Sequence, residues 1–83
     1  MTKLEHATLR LEHVRLKIAI CISQLRDVEL DDRLYPAKSA ELADTRAAYV
    51  AALRALLLMY EEHLHLAEGD LERAERGAAD VRA

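Results

Sequence analysis

Residues 4–28, LEHATLRLEHVRLKIAICISQLRDV, decide the fold of this chain because apolar residues recur along them at helical spacing. One apolar row alternates in steps of three and four residues: Leu4, Ala7, Leu11, Val14, Ile18, Cys21, Leu25 and Val28. This spacing keeps side chains on one face of an α-helix. No Gly or Pro interrupts the stretch, so the sequence predicts a first helix from about residue 3 to about residue 28.

The same stretch carries a second row at the same spacing, made of His6, Leu9, His13, Leu16 and Ile20. At about 100° per residue the two rows lie roughly 140° apart around the helix. A single neighbouring helix cannot cover both rows. Because the chain is so short, we expect the helix that covers the second row to come from another copy of the chain.

After residue 28 the apolar spacing is lost, and the segment 29–36 ends in Pro36, which disfavours helix at Tyr35. We therefore expect a loop over 29–36 and a second helix from about residue 37 to 67, with a possible continuation to about residue 80. Its apolar row includes two consecutive steps of four between Leu56 and Leu64, which predict a local slip of phase. The row consists of Leu42, Tyr49, Leu53, Leu56, Tyr60, Leu64, Ala67, Leu71, Ala74, Ala78 and Val81.

The predicted fold class is all-α, a hairpin of two long antiparallel helices forming one domain over residues 1–83. Gly69 and Asp70 leave two alternatives for the C-terminal part. Because the apolar row continues in phase across Gly69, we favour one continuous helix. In the alternative, residues 70–83 form a frayed tail or a separate short helix capped by Asp70.

The middle of the second helix is apolar almost all round, which is typical of helices at the centre of a bundle. Two hairpins that associate into a homodimeric four-helix bundle would bury this segment together with the second row of the first helix. Arg54 alone interrupts the apolar segment, and we expect it at the rim or paired with Asp27 or Glu29. The residues predicted to mediate self-association are Leu9, His13, Leu16, Ile20, Ala48, Ala52, Ala55 and Met59.

Composition favours a soluble cytoplasmic protein. The 83 residues carry a net charge of −3 and one cysteine, Cys21, which we expect to pack as a small hydrophobe. The N-terminal residues MTKLEH carry charges where a signal peptide has an apolar run, and no apolar stretch is long enough to span a membrane. Acidic and basic residues are mixed along the chain, so we do not expect nucleic acid as a partner.

The segment EEHLH at residues 61–65 is the sharpest chemical candidate. On a helix, Glu62 and His65 stand three residues apart and Glu61 and His65 four apart, so carboxylate and imidazole can approach one ion. The Glu-x-x-His spacing resembles the second-helix motif of ferritin-like proteins, including the short two-helix encapsulated ferritins, over these five residues and the hairpin outline.

That resemblance implies iron or another divalent metal, bound when two hairpins dimerise. Such a site also takes a carboxylate from the first helix, where Glu29, Glu5 and Glu12 are the available acids. In the alternative, Glu61, Glu62 and His65 form the solvated polar end of an apolar segment and no cofactor is bound.

The histidines of the second row suggest a further hypothesis. If His6 and His13 lie in an interface between copies, their protonation near pH 6 weakens assembly. In the simpler reading they are amphipathic residues at the border of that interface.

Function follows from these features only as a class. We expect a small self-associating helical interaction protein, an adaptor, assembly factor or protein inhibitor that acts on a larger protein partner. The first alternative is the metal-binding bundle; the second is a nucleic-acid-binding regulator using Lys3, Arg10, Arg15 and Lys17. The chain has no phosphate loop, Cys-x-x-Cys pair, nucleophile elbow or His-Glu-x-x-His zinc motif, so we do not expect an enzyme.

Overall fold

The computed structural model describes residues 1–82, and the side chains of residues 1–80, as two antiparallel helices. Helix α1 spans Lys3–Leu34 and helix α2 spans Ala40–Arg82. The hairpin measures 66 × 18 × 16 Å, and its long dimension matches the 43 residues of α2 at about 1.5 Å per residue. The predicted all-α hairpin is confirmed. We call the helix pair the ribbon, and its two broad sides are the sides on which both helices expose a flank.

Side-chain caps begin both helices. The Thr2 Oγ1 accepts a hydrogen bond from the Glu5 backbone N–H at 3.0 Å, and the Thr2 hydroxyl donates to the Glu5 carboxylate at 3.2 Å. At the start of α2, the Ser39 Oγ accepts from the Leu42 N–H at 3.1 Å. Each cap satisfies an N–H group that has no partner within the helix itself.

The predicted loop at 29–36 is wrong over most of its length, because α1 continues to Leu34. Residues 29–34 contain no Gly or Pro, so nothing in their composition ends the helix. All six are exposed, and the apolar spacing is lost there because this part of the helix has no partner to contact. The chain leaves the helix at Tyr35, directly before Pro36, with φ −131° and ψ 72°. The predicted start of α2 near residue 37 is also wrong, because the Ser39 cap sets it at Ala40.

The first apolar row of α1 packs against α2, as predicted. It supplies the buried residues Ala7, Leu11, Val14, Cys21 and Val28. The predicted phase slip in α2 is wrong, because Leu57 rather than Leu56 faces α1, and Val50 rather than Tyr49. The resulting row alternates by three and four residues without interruption: Val50, Leu53, Leu57, Tyr60, Leu64, Ala67, Leu71, Ala74 and Ala78. The side chain of Val81 lies outside the described residues.

The core is a single seam between the two helices. Its best-packed cluster joins Leu11 and Val14 of α1 to Ala67 of α2, with three half-buried residues around it: Ile18, Leu64 and Leu71. The predicted packing role of Cys21 is confirmed, since its thiol is free and buried. Each helix is covered on one side only, so every apolar side chain outside the seam remains in water.

Helix α2 passes through Gly69 without interruption, as the apolar pattern across this residue indicates. Asp70 does not cap a third helix. Its carboxylate instead forms ion pairs with Arg10 of α1 and with Arg73 in the next turn of α2. Neither helix, over the residues described, contains a segment long and apolar enough to cross a lipid bilayer.

Candidate self-association surface

The second row of α1 is not covered by α2. Leu9, Leu16 and Ile20 are between 41% and 57% exposed, and His6 and His13 are exposed beside them. The roughly 140° between the two rows explains this exposure, because α2 lies over the first row and contacts one side of α1 only. The hairpin alone therefore leaves a continuous apolar row in water.

Helix α2 carries a comparable exposed row, which we call the Tyr49 face. Its large apolar side chains are between 39% and 59% exposed. The row follows the same alternation of three and four residues as the seam, and it lies about 100° from the seam around the helix. It consists of Leu42, Tyr49, Ala52, Leu56, Met59, His63 and Leu66.

The Tyr49 face and one flank of α1 lie on the same broad side of the ribbon. Leu66 and His63 of α2 line a groove of about 280 Å³ together with Arg10 and His13 of α1. On the same side, Arg10 donates to the Asp70 carboxylate at 3.1 Å and bridges the two helices. The flank of α1 that carries Arg10 and His13 and the Tyr49 face thus belong to one surface.

The structure separates the eight predicted self-association residues into two groups, although all eight are exposed. By helical spacing from the seam, half of them lie on or next to the Tyr49 face: His13, Ile20, Ala52 and Met59. The other half lie on the outer edges of the ribbon and point away from the opposite helix: Leu9, Leu16, Ala48 and Ala55. A second hairpin packed on the broad side would contact the first group directly.

Sequence reasoning missed five residues of the Tyr49 face. The predicted seam row includes Leu42, Tyr49 and Leu56, and neither predicted row includes His63 or Leu66. The signal that identifies them is the unbroken alternation of Val50, Leu53 and Leu57, which needs no phase slip and leaves Tyr49 and Leu56 outside the core.

The chain exposes more area than a compact monomer of the same mass. The chain exposes 6557 Å², whereas a compact monomer of 9.4 kDa is expected to expose about 5000 Å². The excess of about 1500 Å² per chain, or about 3000 Å² for two chains, falls in the range of permanent homodimer interfaces. A second hairpin on the broad side would remove an area of this order.

The candidate metal ligands Glu61, Glu62 and His65 are all exposed on α2. Over the part of the chain that the structure describes, no three His, Cys, Asp or Glu side chains converge in a way that could hold a metal ion. The neighbouring His63 makes an edge-to-face contact with the Tyr60 ring, with 6.2 Å between ring centroids. A metal site would therefore need ligands from a second chain.

The basic residues do not form a free phosphate-binding row. Arg10 is paired with Asp70, and Lys17 is half-buried, which leaves Lys3 and Arg15 exposed. Arg54 is exposed at the rim of another groove, with Ala47 and Ala51. None of the ion pairs among residues 1–80 joins it to Asp27 or Glu29, so of the two alternatives for Arg54 the structure shows the rim position.

Comparison of the chain with models of known protein families, with curated proteins and with solved structures finds no match.

Proposed function

We propose that this chain is a small self-associating helical interaction protein. Two hairpins pack through their Tyr49 faces into a homodimeric four-helix bundle, and the bundle acts on a larger protein partner as an adaptor, assembly factor or protein inhibitor. The observation that carries the proposal is the exposed apolar row on α2, whose side chains are spaced like a second seam. The free, buried thiol of Cys21 is compatible with a reducing cytoplasm, where we place the protein.

The energetics favour association. Leu56, Met59 and Ile20 each retain about two fifths of their accessible surface in the hairpin. Complete burial of a side chain of this size contributes about 1.5 to 3 kcal/mol, so partial burial of several such residues gives a substantial driving force. The small side chain of Ala52, between Tyr49 and Leu56 on the same row, permits close approach of a partner helix.

Sedimentation velocity at low micromolar concentration tests the dimer. We expect wild-type protein to sediment as two chains, and Leu56→Glu to weaken association at least tenfold, because a carboxylate would enter an apolar contact. Leu30→Glu is the matched control: Leu30 is 52% exposed but lies on the outer edge of α1, so this variant should remain dimeric. A folded wild-type monomer at about 50 µM would refute the proposal, since a permanent dimer of this area binds far more tightly.

The interaction role needs a separate test. Wild-type protein and Leu56→Glu, each purified and immobilised, are exposed to an extract of the native cell, and retained proteins are identified by mass spectrometry. A partner that binds wild type at a defined stoichiometry and binds again as a purified protein supports the role. If no retained protein binds when purified, the interaction role is wrong even if the dimer stands.

A further inference from the structure

The side of the ribbon opposite the Tyr49 face carries a second exposed surface, centred on Leu58. Leu58 is 68% exposed, more than any other large apolar residue of α2. It lies two residues beyond Leu56, and therefore about 200° around the helix from it. The groove with Ala51 and Arg54 lies on this side and shares no residue with the groove that holds His13 and His63.

Helix α1 adds an apolar residue to the same surface. The two ion pairs between the helices, Arg10–Asp70 and Asp32–Arg46, place Ile22 of α1 level with Leu58 of α2. By helical spacing, Ile22 is on the Leu58 side of the seam, and it is 37% exposed. We call the surface around this pair the Leu58 face.

Charges on the Leu58 face are arranged asymmetrically about its centre. The charged residues nearest Leu58 on this face differ in sign: Arg54 of α2 and Arg26 of α1 lie towards the loop, and Glu61 of α2 lies towards the other end. Farther from Leu58 the charges are mixed, with Glu29 and Asp44 on the loop side and Arg15, Glu12 and Glu68 on the other side. Arg26, Arg54 and Glu61 take part in none of the ion pairs among residues 1–80.

This asymmetry fits a second copy of the chain turned by 180°. If two α2 helices pack antiparallel with their Leu58 residues near the twofold axis, residues before Leu58 in one copy lie opposite residues after Leu58 in the other. Arg54 and Glu61 are seven residues apart and lie on the same flank of α2, so Arg54 of one copy lies close to Glu61 of the other, and the pair occurs twice by symmetry. Ala47, Ala51 and Ala55 on the same part of α2 are small enough to let the two helices approach closely.

We propose that the Leu58 face is a second self-association surface, which takes another copy of this chain through reciprocal Arg54–Glu61 pairs around Leu58. The consequence of this inference rests on the proposed dimer, because the Tyr49 face and the Leu58 face lie on opposite sides of the seam. Hairpins joined alternately by the Tyr49 face and the Leu58 face form an open-ended stack. Assembly then continues beyond two chains as concentration rises.

Charge reversal tests the pairing. In sedimentation velocity over a concentration series, we expect wild type to form species larger than a dimer. Arg54→Glu alone and Glu61→Arg alone should each weaken this step at least tenfold, because two attractive contacts become repulsive. The double variant Arg54→Glu/Glu61→Arg restores both pairs and should assemble like wild type. An equimolar mixture of the two single variants should also assemble, since their contacts are complementary.

Each outcome separates this inference from the proposed dimer. Wild-type dimers with no larger species up to about 500 µM would refute the Leu58 face and leave the dimer standing, because even a weak, millimolar interface would show at that concentration. Single variants that assemble like wild type, or a double variant that fails to recover, would refute the Arg54–Glu61 pairing. If Leu56→Glu still forms a two-chain species that Arg54→Glu splits, the Leu58 face stands and the Tyr49 face is wrong.

Discussion

Arg10 on α1 and Asp70 on α2 lie 60 residues apart in the chain, and a guanidinium nitrogen and a carboxylate oxygen of the two residues are 3.1 Å apart. The contact joins the helices near the end of the ribbon that lies away from the loop. Together with Arg46 and Asp32 near the loop, it fixes which residues of α1 and α2 are level with each other. Asp70 also accepts from Arg73, so one carboxylate balances two guanidinium groups.

Replacing Asp70 with Asn removes this balance and leaves Arg10 and Arg73 close together without a counter-charge. Because both side chains are substantially exposed, we expect a loss of only about 0.5 to 1 kcal/mol in the free energy of unfolding. The loss should shrink in 0.5 M NaCl, since salt screens exposed charges. Urea denaturation at both salt concentrations measures it, with Asp27→Asn as the control. An equal or larger loss at high salt would contradict this electrostatic account.

Leu11→Ala should be among the most destabilising single substitutions in the chain. Leu11 is 6% exposed and packs with Val14 and Ala67 in the central cluster of the seam. Loss of this side chain costs about 2 to 4 kcal/mol, because it removes buried apolar surface and leaves a cavity between the two helices. Chemical denaturation checks the value at fixed protein concentration. Leu30→Ala, at an exposed position of the same helix, should change stability by less than about 0.5 kcal/mol.

Gly69→Ala should stabilise the protein. Gly69 lies inside a continuous helix, and a methyl group there would meet only the flexible end of Arg73, at 3.4 Å. Alanine is favoured over glycine within a helix by about 0.5 to 1 kcal/mol. Thermal denaturation should show a higher Tm than wild type. Gly77→Ala, where no atom lies within 4 Å of the new methyl group, is the companion variant. A lower Tm for both variants would show that the glycines serve another purpose.

Ser39→Ala removes the cap that starts α2. The Ser39 Oγ accepts the Leu42 N–H, which would otherwise have no partner within the helix. We expect a loss of about 1 kcal/mol in the free energy of unfolding, and Ser39→Asp should keep stability close to wild type because its carboxylate accepts the same bond. Hydrogen exchange at the first turn of α2 should accelerate in the alanine variant alone. Equal behaviour of both variants would argue against the cap.

The fold was predictable where one apolar row had a single interpretation. The row from Leu4 to Val28 extends along the whole stretch, whereas the second row contains two histidines and ends at Ile20, and the longer row identifies the buried face of α1 correctly. In α2, apolar residues occur nearly all round the helix, so two rows could be drawn through the same segment. The row through Leu56 needs two consecutive steps of four, whereas the row through Leu57 alternates without a slip, and this regularity was the signal for the correct row.

The helix ends were harder to predict, because local bonding sets them. Apolar spacing shows where a helix contacts its partner. It gives no signal over residues 29–34, because this part of α1 is helical but exposed to water. The start of α2 depends on one hydrogen bond to Ser39, although Pro36 is the more conspicuous residue. Only part of the candidate surface was predictable, for a related reason. The sequence shows which apolar residues lie outside the seam, but the side of the ribbon on which each of them lies follows only from the packing of the two helices.

Cys21 gives the hairpin a built-in reporter of its own opening. The thiol is 3% exposed and lies midway along α1, and it is the single cysteine in the chain. A water-soluble alkylating reagent reaches it only when the helices separate, so the labelling rate measures how often the seam opens under native conditions. Slower labelling at higher protein concentration would show that association reduces the opening of the seam. The measurement needs no fluorophore and no engineered residue.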